Sequence, residues 1–138
     1  MATFTTDRTA TGVPPKYQAQ GVFSDIGTYE CSSTAAASVL QMVKVAAGVT
    51  VIDMVVYCDD LGTATMNIDV GDGTDVDRYI KALDTSSAVT ARMGSGVTNL
   101  AAAGFPATYT SDDTIDIVLN TGTFTGTVTS TNLSSTYA

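Results

Sequence analysis

From position 21 onward the chain alternates short runs of β-branched and aromatic residues with clusters of Gly, Asp, Asn and Ser, a pattern of strands punctuated by turns. The cleanest alternation is Ala64–Val70. Ala64, Met66, Ile68 and Val70 fall on one face and Thr65, Asn67 and Asp69 on the other, which predicts a half-buried strand. Ser38–Val45 and Thr50–Cys58, joined by Ala46-Ala47-Gly48, form a strand, turn and strand. The second is so apolar that it is expected to be covered on both faces or central in its sheet. Thr114–Leu119 places Ile115, Ile117 and Leu119 on one face, and the threonines of Thr123–Asn132 suit an exposed strand. Weaker strands are predicted at Gly21–Ser24, Thr28–Cys31, Ser87–Met93 and Ala107–Thr110, with Leu133–Ala138 as a further edge and Gly94–Gly104 as a loop. In Asp75–Leu83, Val76, Tyr79, Ile80 and Leu83 recur at helical spacing behind a capping Thr74, so a single helical turn and a short strand both fit.

Roughly eight short strands with almost no helix predict an all-β fold, a two-sheet sandwich or jelly-roll-like knob, over residues 21–138. Residues 1–20 differ. Met1–Gln20 has neither helical nor strand periodicity, contains Pro14 and Pro15, and reads as an extended N-terminal arm. A frayed tail and a tether that orders on a partner are both open for it.

Composition narrows the function. The chain has 138 residues, enough for one domain with an arm, and its 44% apolar share is that of a globular protein. Six Lys and Arg stand against 14 Asp and Glu, a formal net charge of −8. The cations Arg8, Lys16, Lys44, Arg78, Lys81 and Arg92 are scattered, so the basic cluster that nucleic-acid binding requires is missing. No apolar run is long enough to span a membrane, and the N-terminus has no apolar leader core, so synthesis in the cytoplasm with reduced thiols is expected. For Cys31 and Cys58 a disulfide and a pair of small buried hydrophobes both fit the sequence.

Candidate chemistry is sparse. Asp69–Asp77 (DVGDGTDVD) packs four aspartates and two glycines into nine residues, an oxygen-rich stretch of the kind calcium favours. It lacks EF-hand spacing, and the simpler reading is a turn whose glycines supply positive φ and whose aspartates cap amides. Asp59-Asp60 and Asp112-Asp113 are adjacent pairs that point apart on extended backbone, poor geometry for an acid–base dyad. With no histidine in the chain, a Ser–His or Cys–His relay cannot be assembled. No catalytic residue, cofactor or metal ligand is therefore assigned, and an enzyme is not expected.

Two stretches, Met42–Tyr57 (MVKVAAGVTVIDMVVY) and Ile68–Ala82 (IDVGDGTDVDRYIKA), resemble the small capsid decoration, or cement, proteins of tailed phages. The likeness covers about a third of the chain. It implies a β-sandwich knob on the outer surface of a virion, bound between major capsid protein subunits and self-associated as a homotrimer, with no nucleic acid or membrane as partner. Its turn and Asp-Arg-Tyr-Ile segment fall on Gly71, Asp72, Gly73, Asp75, Asp77, Arg78, Tyr79 and Ile80, which are expected to hold the fold together. The competing expectation is a calcium- or glycan-binding β-sandwich of the adhesin or tail-fibre type.

Overall fold

The computed structural model describes residues 2–5, 21–63, 65–97 and 107–135. Among these residues every regular element is a strand: β1 (Thr3–Thr5), β2 (Val22–Ala35), β3 (Val39–Val45), β4 (Thr50–Cys58), β5 (Asn67–Gly71), β6 (Ile80–Asp84), β7 (Val89–Arg92), β8 (Ala107–Thr108), β9 (Asp113–Leu119) and β10 (Thr123–Ser135). They form two sheets. The first runs β1-β3-β9-β5-β6; the second runs β2-β10-β4-β7, with β8 also against β4. All pairs are antiparallel except β1 with β3. The expected two-sheet β-sandwich is the fold observed.

The inner faces are built by the alternations seen in the sequence. Met66, Ile68 and Val70 from the β5 region, Ile115, Ile117 and Leu119 from β9, and Val51, Met54 and Val56 from β4 are buried together. Their burial against both sheets is the main source of stability, at roughly 25 cal/mol per Å² of apolar area. Regular pairing of β5 begins only at Asn67, because Thr65 takes a φ of +85°; Ala64 lies outside the described residues. β4 is central as expected, yet Tyr57 on its outer face remains exposed.

Three expectations change. The weak pieces Gly21–Ser24 and Thr28–Cys31 belong to one 14-residue strand, β2. The threonine-rich β10 is an inner strand, held by β2 on one side and β4 on the other. The reason lies in its inward positions, Val128, Ser130, Asn132 and Ser134, which are buried although three are polar. Here the sheets come so close that only small groups fit. Gly27, the cross-strand partner of Ser130, lies against β3 such that a Cβ would stand 2.1 Å from the Met42 carbonyl oxygen. Finally, the N-terminal arm is not wholly without strand. Thr3–Thr5 pairs in parallel with Val39–Gln41, and the Phe4 ring sits 5.5 Å from that of Tyr29. Residues 6–20 of the arm, positions 98–104 of the Gly94–Gly104 loop and positions 136–138 lie outside the described residues.

Cys31 and Cys58 are both buried thiols. Cys31 pairs across to Gly126 and Cys58 to Val128, on opposite sides of β10. Two strand spacings, about 9–10 Å, separate their backbones, beyond the roughly 7 Å a disulfide can bridge. Burial pushes the Cys58 thiol up to about 12 and raises that of Cys31 as well. The folded protein should therefore keep both thiols reduced in air and hide them from a thiol reagent, with both reacting on unfolding. Intact mass without reductant, and reagent titration before and after denaturant, check this.

Candidate functional site

The Asp69–Asp77 segment is a staple built around one buried carboxylate. β5 ends at Gly71, and the chain folds back so tightly that a Cβ there would lie 2.0 Å from the Asp75 carbonyl oxygen. Neither Gly71 nor Gly73 is among the positive-φ glycines, so close approach, and not left-handed backbone, explains the Gly at 71. Asp72, 1% exposed, then accepts four hydrogen bonds. Its Oδ1 takes the N–H groups of Thr74 and Asp75, each at 2.9 Å, and its Oδ2 takes Arg78 Nε and the Tyr109 hydroxyl, each at 2.8 Å. The Tyr109 and Tyr79 hydroxyls lie 2.7 Å apart. Burial pushes the Tyr79 hydroxyl up to about 12 and raises that of Tyr109 further, so both stay protonated. A buried carboxylate is tolerable only when paired and fully bonded, and Asp72 meets both conditions.

The remaining aspartates of the segment are engaged as well. Asp69 Oδ1 accepts the Ala82 N–H at 2.7 Å, and Asp77 pairs with Lys81 at 2.8 Å. The bond to Lys81 holds the Asp77 carboxyl below its usual range, whereas desolvation and the neighbouring Asp77 raise that of Asp75. The structure thus gathers Asp72, Arg78 and Tyr79 of the sequence-derived set into one network with Tyr109. Asp75 contributes backbone groups, accepting from the N–H of Asp72 and of Arg78 through its carbonyl. Ile80 opens β6 inside the core, while Gly73 is exposed on the turn. The helical spacing from Val76 to Leu83 yields a turn followed by a strand from Ile80, and Val76 is left exposed at the turn. Chemically the arrangement is closed: Arg78 neutralises Asp72, and among the described residues no three acidic or thiol groups converge as a metal set. The adjacent pairs serve backbone amides. Asp60 accepts from Gly62, Asp59 from Thr127, Asp112 from Ala47 and Asp113 from Thr114.

Two participants escaped the sequence reading. Tyr109 directly follows the two-residue β8 and stands beside a polar depression of about 340 Å³ that it lines with Asp72, Thr74, Arg78 and Thr108. Asp116 alternates to the outer face of β9, where exposure is the natural expectation, yet it is 7% exposed between Gln41 of β3 and Gly71 of β5. Burial pushes its carboxyl up to about 6, against the 2.6 Å bond from Thr114 Oγ1, and Asp113 and Asp72 add repulsion.

Comparison with known proteins returns structures alone. No family model and no curated protein matches the sequence. A chain from a structure titled as the capsid of Ralstonia phage GP4 superposes with a TM-score of 0.78 at 12% identity, covering 99% of both chains. A chain from the capsid asymmetric unit of cyanophage Pam1 gives 0.68 at 17% identity, covering 90% of this chain and 91% of its own. One from the acidic stable capsid of Helicobacter pylori bacteriophage KHP30 gives 0.57 at 13% identity over 84% and 92%. At these identities the likeness establishes a shared fold.

Two expected outcomes follow from the network. Asp72→Ala strands Arg78, the Tyr109 hydroxyl and two amides, and should cost about 3–5 kcal/mol in denaturant unfolding. Asp116 has the opposite sign. Its folded-state value of about 6 lies above the unfolded value near 3.9, so its favourable contribution is complete below about pH 4 and is lost as pH rises through 6. Asp116→Asn keeps the neutral form and should add on the order of 1–3 kcal/mol at pH 7 and almost nothing at pH 4, read from melts across that range.

Proposed function

We propose that this chain is a structural virion protein of a tailed phage, a cement or decoration knob on the outer capsid surface, seated between major capsid protein subunits. The observation that carries the reading is coverage. A capsid-derived chain of nearly the same length shares the fold end to end, and two further similar chains also come from phage capsid structures. Three physical features support it. Most of the candidate carboxylates are bound to backbone amides (Asp59, Asp60, Asp69, Asp112, Asp113), to Arg78 (Asp72) or to Lys81 (Asp77), which suits a rigid body more than a reactive one. A net charge of −8 without a basic cluster suits the outside of a DNA-filled shell. Thr3–Thr5 of the arm pairs with the chain's own β3, so we assign the role of a tether to a neighbour to the arm's residues 6–20.

Particles from the source phage should contain this chain in stoichiometric amounts on the icosahedral lattice. Particles lacking it should lose their DNA at a lower temperature or ionic stress, and added purified protein should restore the loss. Cryo-electron microscopy of the particle, with mass spectrometry of its proteins, tests both points. Absence of the chain from the particle, or its presence at a single tail vertex, would overturn the reading.

A further inference from the structure

Asp116 is a buried carboxyl whose surroundings are rich in acceptors and poor in donors. On the outer face of β9 it has Gln41 of β3 on one side and Gly71 of β5 on the other. Paired positions project their side chains to the same face, with Cβ atoms roughly 4.5–5.5 Å apart. On the Gly71 side that place is filled by main chain. The turn after β5 folds back until the Asp75 and Val76 carbonyl oxygens lie 2.0 and 2.7 Å from where a Gly71 Cβ would stand. The same turn meets Asp113, whose Oδ1 is 3.3 Å from the Cβ position of Gly73. Asp116 thus faces carbonyl oxygens, and the Asp72 and Asp113 carboxylates repel it as well. Other charges of this region are engaged elsewhere: Arg78 holds Asp72, and Asp69 accepts from Ala82. Asp75, partly exposed, is set against Asp77, and Lys44, opposite Thr114 on β3, forms no ion pair with Asp116. The donor that Asp116 does have is the Thr114 hydroxyl, at 2.6 Å.

We propose that Asp116 is a pH control for this turn: the Asp72–Arg78 segment shuts against β9 while the carboxyl holds its proton, and opens more readily once the proton leaves. A neutral carboxyl sits comfortably among carbonyl oxygens, since it has a hydroxyl to donate. A carboxylate is repelled by them and by Asp72 and Asp113, and it regains water only where its cover lifts. The strands flanking Asp116 are fixed in their ladders, whereas the turn lies between β5 and β6 outside them. The sign follows from burial. With the turn shut the carboxyl is pushed up to about 6, and with the turn open it returns toward 3.9. Closure is therefore favoured most below about pH 4, and the preference is lost as pH rises through 6. Between pH 5 and pH 8 the open fraction should rise about tenfold.

The inference is independent of the capsid reading, because it concerns the purified chain. Amide hydrogen exchange followed by NMR tests it. The Thr74 and Asp75 amides, both bonded to Asp72 Oδ1, report on the turn. The Leu119 amide, bonded to the Ser38 carbonyl oxygen in the core, reports on the sandwich. After correction for intrinsic rates, the turn amides should be less protected than Leu119 at every pH. Their protection should fall about tenfold from pH 5 to pH 8. In Asp116→Asn, which keeps the neutral shape, protection of the turn should stay level across that range. The Asp116 carboxyl carbon itself should titrate near pH 6. Turn amides that match Leu119 at every pH would mean that the turn opens only with the whole fold, and would overturn the proposal. So would turn protection that is level in the wild type, a fall that persists in Asp116→Asn, or a carboxyl that titrates near pH 4.

Discussion

The main-chain ladders on the two sides of β10 hold the second sheet together, and the rest of the sandwich is arranged around them. β10 meets β2 over Thr123–Ser135 and β4 over Val128–Ser135, so the last of the described strands supplies the partner for both. The separations are long; Thr28 and Thr129, whose hydroxyls lie 3.1 Å apart, are 101 positions distant in sequence. Closing such loops is entropically expensive before any contact offsets it, which makes this a slow-folding topology. It also fixes the interior chemistry of β10. Where β2 packs down onto β3 at Gly27, the inward positions of β10 must be small, and Ser130, Asn132 and Ser134 occupy them. Ser130 Oγ donates to Asn132 Oδ1 at 3.1 Å, while Asn132 Nδ2 is buried with no hydrogen-bond partner among the described residues. A desolvated amide donor of this kind is a cost accepted for close packing.

The first sheet answers the opposite problem, charge instead of space. The chain has few cations, and it places Arg78 where one cation supports the most structure. Through Asp72 it ties the end of β5, the following turn and Tyr109 beyond β8 into one hydrogen-bonded unit. Asp116, on the neighbouring strand, meets no cation among the described residues and accepts from Thr114, and burial therefore raises its carboxyl. The same residue type thus stabilises at one position and weakens at another a short distance away, because one carboxylate has Arg78 and the other does not.

Most strands were legible, β5 and the apolar positions of β9 by alternation and β4 by its near-continuous apolar run. β2 and β10 were harder. On β2 the inward residues include Gly27 and Asp25, so alternation breaks although the strand continues. On β10 polar inward residues imitate an exposed strand, and only the approach of the opposite sheet explains them. The turn at Asp72 was legible as a turn, since Gly-Asp-Gly-Thr has no other economical conformation. Its buried ion pair was not legible, because it depends on Tyr109, 37 positions away. Nor was β1, whose three residues carry no period and are held by β3 and by Phe4 against Tyr29.

Identities of 12–17% with chains of the same fold mean that the side-chain chemistry differs while the topology is shared. A sandwich tolerates this, because its sheets need alternation and volume more than particular residues. A catalytic constellation does not, since its groups must keep both type and geometry. A role resting on shape, on a rigid turn and on main-chain edges is of the tolerant kind, because backbone hydrogen bonds read no side chain.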